Sequence, residues 1–128
     1  MQTLAPDFSV SRVESEREVH WKAVGLWDET MMVTLFHALL DASKPYRDDR
    51  KGFRVFGDLS QFAVQQREIA ETMQQSQEAS AQLGVDRMAI VYSSILVKQQ
   101  FRRISEALDC RFFEDRTEAL AWLREDKR

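Results

Sequence analysis

The stretch MAIVYSS, residues 88–94, decides how this chain is read. Met88 to Tyr92 is apolar throughout, without the alternation of a strand that has one wet face, so it reads as a strand covered on both sides, as in the middle of a parallel sheet. Ser93 and Ser94 end the run, and Ser94 stands where the N-cap of a following helix belongs.

Outward from this strand, helix and strand signals alternate in both directions. Downstream, Val97, Phe101, Ile104 and Leu108 keep helical spacing, Arg111-Phe-Phe113 is a short strand, and Asp115 with Glu118 forms an acidic capping pair ahead of Ala119, Trp122 and Leu123. Upstream, Gly84 is placed as a helix-ending glycine after a helical stretch from Gln65 to Leu83. In that stretch Gln65, Gln66, Gln74, Gln75, Gln77 and Gln82 leave only Ile69, Met73 and some alanines as apolar contacts. The helix is therefore expected to lie loosely on the sheet, or to turn Gln66, Ala70, Met73 and Gln77 toward a partner.

Before it, Phe53 to Phe56 reads as strand and breaks at Asp58-Leu-Ser60 into a loop, the place where α/β proteins usually carry their chemistry. Lys44 to Gly52 is polar, charged and without period, which predicts a mobile loop, and the preceding helix is expected to stop before Pro45. That helix is well marked: Asp28 offers an N-cap, and Met32, Leu35, Phe36, Leu39 and Leu40 form a stripe at i, i+3, i+4, i+7 and i+8. The chain opens with a β-hairpin, since Phe8 to Val13 and Val19 to Trp27 both alternate around a charged turn at Glu14 to Glu18.

The order is β-β-α-β-α-β-α-β-α, without repeat, low-complexity tract or linker. It implies one α/β domain over residues 1–128, with a mostly parallel sheet of about five strands, an antiparallel edge strand and about four helices. A chain of 128 residues with 44% hydrophobic content suits one core, and a formal charge of −3 argues against a surface made for nucleic acid. Lys98 and Arg102 share a helix face, which reads as solvated, with Arg102 paired to Glu106. Met1-Gln-Thr-Leu-Ala-Pro lacks a leader's basic and apolar regions, and no stretch approaches the roughly 18 apolar residues of a membrane span. A cytoplasmic protein is expected.

The single cysteine, Cys110, excludes an internal disulfide framework and is read as a small apolar residue rather than a nucleophile. With two distant histidines, His20 and His37, no metal site and no cofactor are expected. The loops at the C-terminal ends of the strands should converge on one rim, collecting Trp27, Asp28, Asp58, Ser60, Ser93, Ser94, Glu114 and Asp115. As an active site this would need a base beside a serine, and neither histidine is placed to reach it. Capping explains Asp28, Ser94 and Asp115, so no catalytic residue is expected and the rim is read as binding a partner or ligand. Trp21, Trp27 and Trp122 are read as core, with a ligand cavity as the alternative.

The element order, the strand ending in Asp58-Leu-Ser60, and the run Met88 to Ser94 followed by Gln100-Phe-Arg-Arg103, Phe112-Phe113 and Ala119-Leu-Ala-Trp-Leu123 resemble the STAS family. This is the domain of sulfate transporters and anti-sigma factor antagonists. In particular they are similar to its compact bacterial SpoIIAA-like single-domain proteins, some grouped with Sec14-type lipid-binding domains. The resemblance covers about residues 8 to 125. It implies a regulatory fold switched by phosphorylating a serine shortly after Asp-Leu-Ser, but Gln61 to Glu71 contains no serine, threonine or tyrosine. Two functions are thereby expected: a non-catalytic module binding a protein partner or its own copy as a homodimer, or a binder of a small apolar or lipid-like ligand. A cavity lined by Trp21, Trp27, Met32 and Phe36 would favour the second.

Overall fold

Phe8 and Val10 alternate with Ser9 and Ser11 along β1 (Asp7–Val13), which pairs antiparallel with β2 (Glu18–Gly25), Val10 opposite Trp21 and Ser11 opposite His20. The structure, a computed structural model, describes residues 4–125; the outermost residues of the expected 1–128 domain, and the Met1-Gln-Thr start read as leaderless, lie outside the described residues. After the hairpin come α1 (Glu29–Asp48), β3 (Phe53–Phe62), α2 (Arg67–Ala81), β4 (Val85–Val91), α3 (Ile95–Ile104), β5 (Cys110–Phe113) and α4 (Arg116–Leu123). The element order is the one expected from the sequence, and among the described residues no helix is long and apolar enough to cross a membrane.

The five strands lie in the order β1-β2-β3-β4-β5, with β2 to β5 mutually parallel. Every crossover therefore steps one strand in the same direction, and right-handed crossovers of that kind place their helices on one face of the sheet. There α1, α2 and α3 bury Met32, Leu35, Ile69, Met73, Val97 and Phe101 against Val19, Trp21, Val55, Leu59, Met88 and Ile90. The last helix, α4, lies on the other face and packs Ala119, Trp122 and Leu123 on Phe56, Ala89 and Val91. Strand β4 is thus buried from both sides, which is why Met88 to Val91 can be apolar at every position.

Local chemistry fixes the helix starts. Asp28, Ser94 and Asp115 accept hydrogen bonds from the backbone N–H groups of Met31, Val97 and Thr117. The end of α4 is held from below, because Arg54 donates to the Leu123 carbonyl at 2.6 Å and Arg87 to that of Trp122 at 2.9 Å. Positive charge at a helix C-terminus satisfies orphan carbonyls and complements the macrodipole.

Two expectations fail. Pro45 does not end α1, which runs on to Asp48. Proline removes the bond to the Asp41 carbonyl, but Asp41 is exposed, so water can serve it. The extra turn buries Tyr46 against Phe53, ring centroids 5.9 Å apart, and lets Arg47 donate to the Leu40 carbonyl at 2.7 Å. The expected loop shrinks to Asp49 to Gly52, where Arg17 donates to both Asp49 carboxylate oxygens at 2.7 and 2.8 Å and to the Gly52 carbonyl. Nor does β3 break at Asp58-Leu-Ser60. It continues to Phe62, turning Leu59 into the core and Asp58 and Ser60 to the other face.

Candidate functional site

The C-terminal ends of β2 and β3 are tied together by one side chain, Gln65, whose backbone is in turn held by α3. Its Oε1 accepts from the Trp27 N–H at 2.8 Å, and its Nε2 donates to the carbonyls of Gly25 and Ala63 at 3.1 and 2.6 Å. Its backbone N–H and carbonyl are paired with the Gln100 side chain of α3 at 2.7 and 2.9 Å. Gln65 is buried and every hydrogen-bonding group it carries is engaged, so the rim is a rigid frame.

The expected rim residues are only partly brought together. Trp27 is not a rim surface: it is buried, its indole donating to the Val24 carbonyl and its ring meeting Phe62 edge-on at 5.3 Å. Asp58 accepts from both the N–H and the hydroxyl of Ser60 at 2.9 and 2.6 Å, a strand-bound turn of two polar residues rather than a loop site. Ser93 does reach this point, its hydroxyl donating to the Ser60 carbonyl at 2.6 Å. Ser94 and Asp115 cap α3 and α4. Beside them the Tyr92 hydroxyl lies 3.3 Å from Glu114 and 3.5 Å from the Lys98 ammonium. His37 is exposed mid-helix on α1 and His20 is on β2, so neither imidazole is hydrogen-bonded to a rim serine.

What the rim does present is apolar. Leu26 after β2, Val64 after β3, and Ile95 and Leu96 opening α3 are 40%, 46%, 54% and 65% exposed. Helix α2 contributes less than expected, since Met73 is buried, Ala70 and Gln77 are half-buried and only Gln66 is exposed. Met73 and Gln77 instead line an apolar cavity of about 50 Å³ between α1, α2 and the sheet, together with Trp21, Met32, Phe36 and Ser76. Three of the four residues anticipated for such a cavity are there, and the fourth, Trp27, is not.

Fold and topology have a match among solved structures. Over 96% of this chain and 98% of the other, the protein superposes with a TM-score of 0.70, at 18% sequence identity, on the crystal structure of an uncharacterized protein from the DUF3478 family with a SpoIIAA-like fold from Shewanella loihica PV-4. The fold is SpoIIAA-like. At that identity the likeness carries the fold and nothing of an activity. No protein-family model matches the sequence, and no curated protein does.

In this SpoIIAA-like fold the segment between β3 and α2, where the resemblance implies a phosphorylatable serine, is Ala63-Val-Gln-Gln66, and Gln66 gives α2 no side-chain cap. The backbone conformation is held by the Gln65 hydrogen bonds in place of local turn residues. Sequence reading put Gln65 among the glutamines of a polar helix; its only signal was its place between strand and helix.

The second group missed lies at the opposite end of the sheet. Glu18, read as a turn residue, opens β2 and is 0% exposed, bound by Arg124 at 2.8 and 3.0 Å and by the His20 Nε2 at 2.8 Å. Burial pushes the Glu18 carboxyl up, but the hydrogen bonds from Arg124 and His20 outweigh it and hold the group below its ordinary 4.5. Cys110 begins β5 and packs against the core; burial pushes its thiol up to about 12, with a Ser105 hydrogen bond pulling the other way and the Asp109 charge adding. Such a thiol is not a ready nucleophile.

Proposed function

We propose that this SpoIIAA-like domain is a non-catalytic regulatory module that binds a protein partner through the rim at the C-terminal ends of β2, β3 and β4. The observation that carries the reading is the exposure of Leu26, Val64, Ile95 and Leu96 on that one rim, over a frame locked by Gln65. Large apolar side chains on a rigid support are what an interface core needs. The rim's polar groups support a non-catalytic role, because Asp28, Ser94 and Asp115 are engaged as caps and Asp58 is engaged by Ser60. Control by phosphate on the β3–α2 segment is absent from the proposal, since that segment has no hydroxyl side chain.

A photo-crosslinking residue placed at Leu96 or Val64 in the native host tests this. Adducts competed by excess unlabelled protein are expected at both positions and not at Lys51, which lies beyond the opposite ends of the strands; adducts at Lys51 alone would refute the rim. An adduct of twice the protein's mass would make the partner a second copy of the chain.

The cavity between α1 and α2 supports a second reading, a site for a small apolar ligand. Its lining is mainly apolar, and α2 is anchored there chiefly by Ile69 and Met73, so its polar face contributes little to holding it down. Native mass spectrometry of protein taken from its own host should show a retained apolar mass that Ser76→Leu, by filling the cavity, removes. A bare protein mass in both cases defeats this second reading and leaves the first standing.

A further inference from the structure

Among the described residues, one half of a sheet face carries no helix. Helix α4 lies over β3, β4 and β5, whereas the same face of β1 and β2 carries no helix. On it Ser9 faces Lys22, which faces Asp58, and in the next row Ser11 faces His20, which faces Phe56. These side chains, with Arg116 from the first turn of α4, line an open cleft of about 190 Å³. The Arg116 guanidinium lies 4.6 Å from the centre of the Phe56 ring, and the His20 ring packs against the same ring at 5.1 Å, tilted by 46°.

The charges here are unlike an ordinary solvated face. Among the described residues neither Lys22 nor Arg116 has a carboxylate within ion-pair distance, while most other acids near this end of the face are occupied: Glu18 by Arg124 and His20, and one oxygen of Asp58 by Ser60. Ser9, Ser11, His20 and Lys22 stand at the corners of a rectangle roughly 5 Å across the strands and 7 Å along them. Two hydroxyls, an ammonium and a guanidinium pre-oriented on an aromatic ring converge on a space large enough for a tetrahedral oxyanion and a small substituent. Glu18 fixes the His20 ring from behind.

We propose that this cleft binds the phosphate group of a phosphomonoester, with Lys22 and Arg116 supplying charge and Ser9 and Ser11 hydrogen bonds. The site is separate from the rim and does not depend on the function proposed for it. Asp58 opposes the ligand, and that opposition gives the proposal a distinctive sign.

Amide chemical shifts of the full chain would be followed during titration with glycerol 3-phosphate, and in parallel with vesicles of phosphatidic acid against phosphatidylcholine alone. Saturable shifts centred on residues 9, 11, 20, 22 and 116 are expected, weakened at least about tenfold in K22Q/R116Q, about 1.4 kcal/mol. In D58N, which keeps an acceptor for Ser60 while removing the charge, binding should tighten several-fold. A response confined to phosphatidic acid but lost in K22Q/R116Q keeps the site and assigns the phosphate to a lipid. No saturable response in either arm, or one indifferent to K22Q/R116Q and D58N, overturns the proposal.

Discussion

Arg124→Met should destabilise the protein far more than a surface arginine usually does. The guanidinium makes two charge-assisted hydrogen bonds, 2.8 and 3.0 Å, to a Glu18 carboxylate that is 0% exposed. Each such bond contributes about 1.5–3 kcal/mol net, and breaking a buried pair costs about 3–5 kcal/mol. Arg124 itself is 36% exposed, so water can enter behind it and His20 still holds one oxygen. That solvent access brings the cost to or just below the lower end, about 2–3 kcal/mol. Glu18→Gln keeps the shape and lets Arg124 turn to solvent, so it should cost about 1–2 kcal/mol, and the double variant should fall short of the sum by about 1–2 kcal/mol.

Urea unfolding followed by tryptophan fluorescence measures this directly, because Trp21, Trp27 and Trp122 are all buried. The pH dependence supplies a second check. Glu18 titrates lower in the folded than in the unfolded chain, so in that window the unfolded state binds more protons. Its contribution is present in full above about 4.5 and is lost as pH falls through the lowered value. The gap between the native chain and R124M should therefore be widest at neutral pH and close on acidification. A cost below about 0.5 kcal/mol for R124M, or additive costs in the double variant, would refute the assignment of Glu18 and Arg124 as a coupled pair.

Three further outcomes follow from other places. Gln65→Leu leaves the Trp27 N–H without its acceptor in a buried frame and should cost about 2–3 kcal/mol in the same urea assay; a loss within 0.5 kcal/mol would mean the rim is not locked by this side chain. Gly57→Ala would place a Cβ 2.6 Å from the Trp21 ring and 2.7 Å from Ile90, an overpacking cost of about 1–3 kcal/mol, and an unchanged midpoint would contradict the packing. Cys110, its thiol pushed up to about 12, should react with an aromatic disulfide reagent much more slowly in the folded protein than in urea; equal rates would show the thiol to be open.

How much of this was legible depends on how far away the deciding partner lies. The caps Asp28, Ser94 and Asp115 act on N–H groups two or three residues on, and the sequence read them correctly. Burial of Met88 to Val91 on both faces was readable from an unbroken apolar run. Asp58-Leu-Ser60 misled because aspartate and serine signal turns, yet here they alternate with Leu59 as the outward positions of a strand. Glu18 was opaque: its partner Arg124 is 106 residues away, and no local pattern marks an acid that will be enclosed. Gln65 hid in the same way, its partners Gly25, Trp27 and Gln100 lying 35 to 40 residues away in sequence.

The misreading of Asp58 and the open cleft have one cause, the direction of winding. With every crossover stepping the same way, α1, α2 and α3 lie on one face, and among the described residues α4 is the helix on the other. Packed on β3, β4 and β5, it leaves β1 and β2 without a helix on that side among the described residues. The outward positions of β1 and β2 must then be polar, and those of β3 change from Phe56 under α4 to Asp58 and Ser60 beyond it. Arg54 and Arg87 hold the C-terminal end of this short helix, and Arg124 just beyond it binds Glu18. The helix runs back along the sheet from Arg116 to a C-terminal end held beside Glu18, so the open patch lies along its side, and there Lys22 and Arg116 line one cleft.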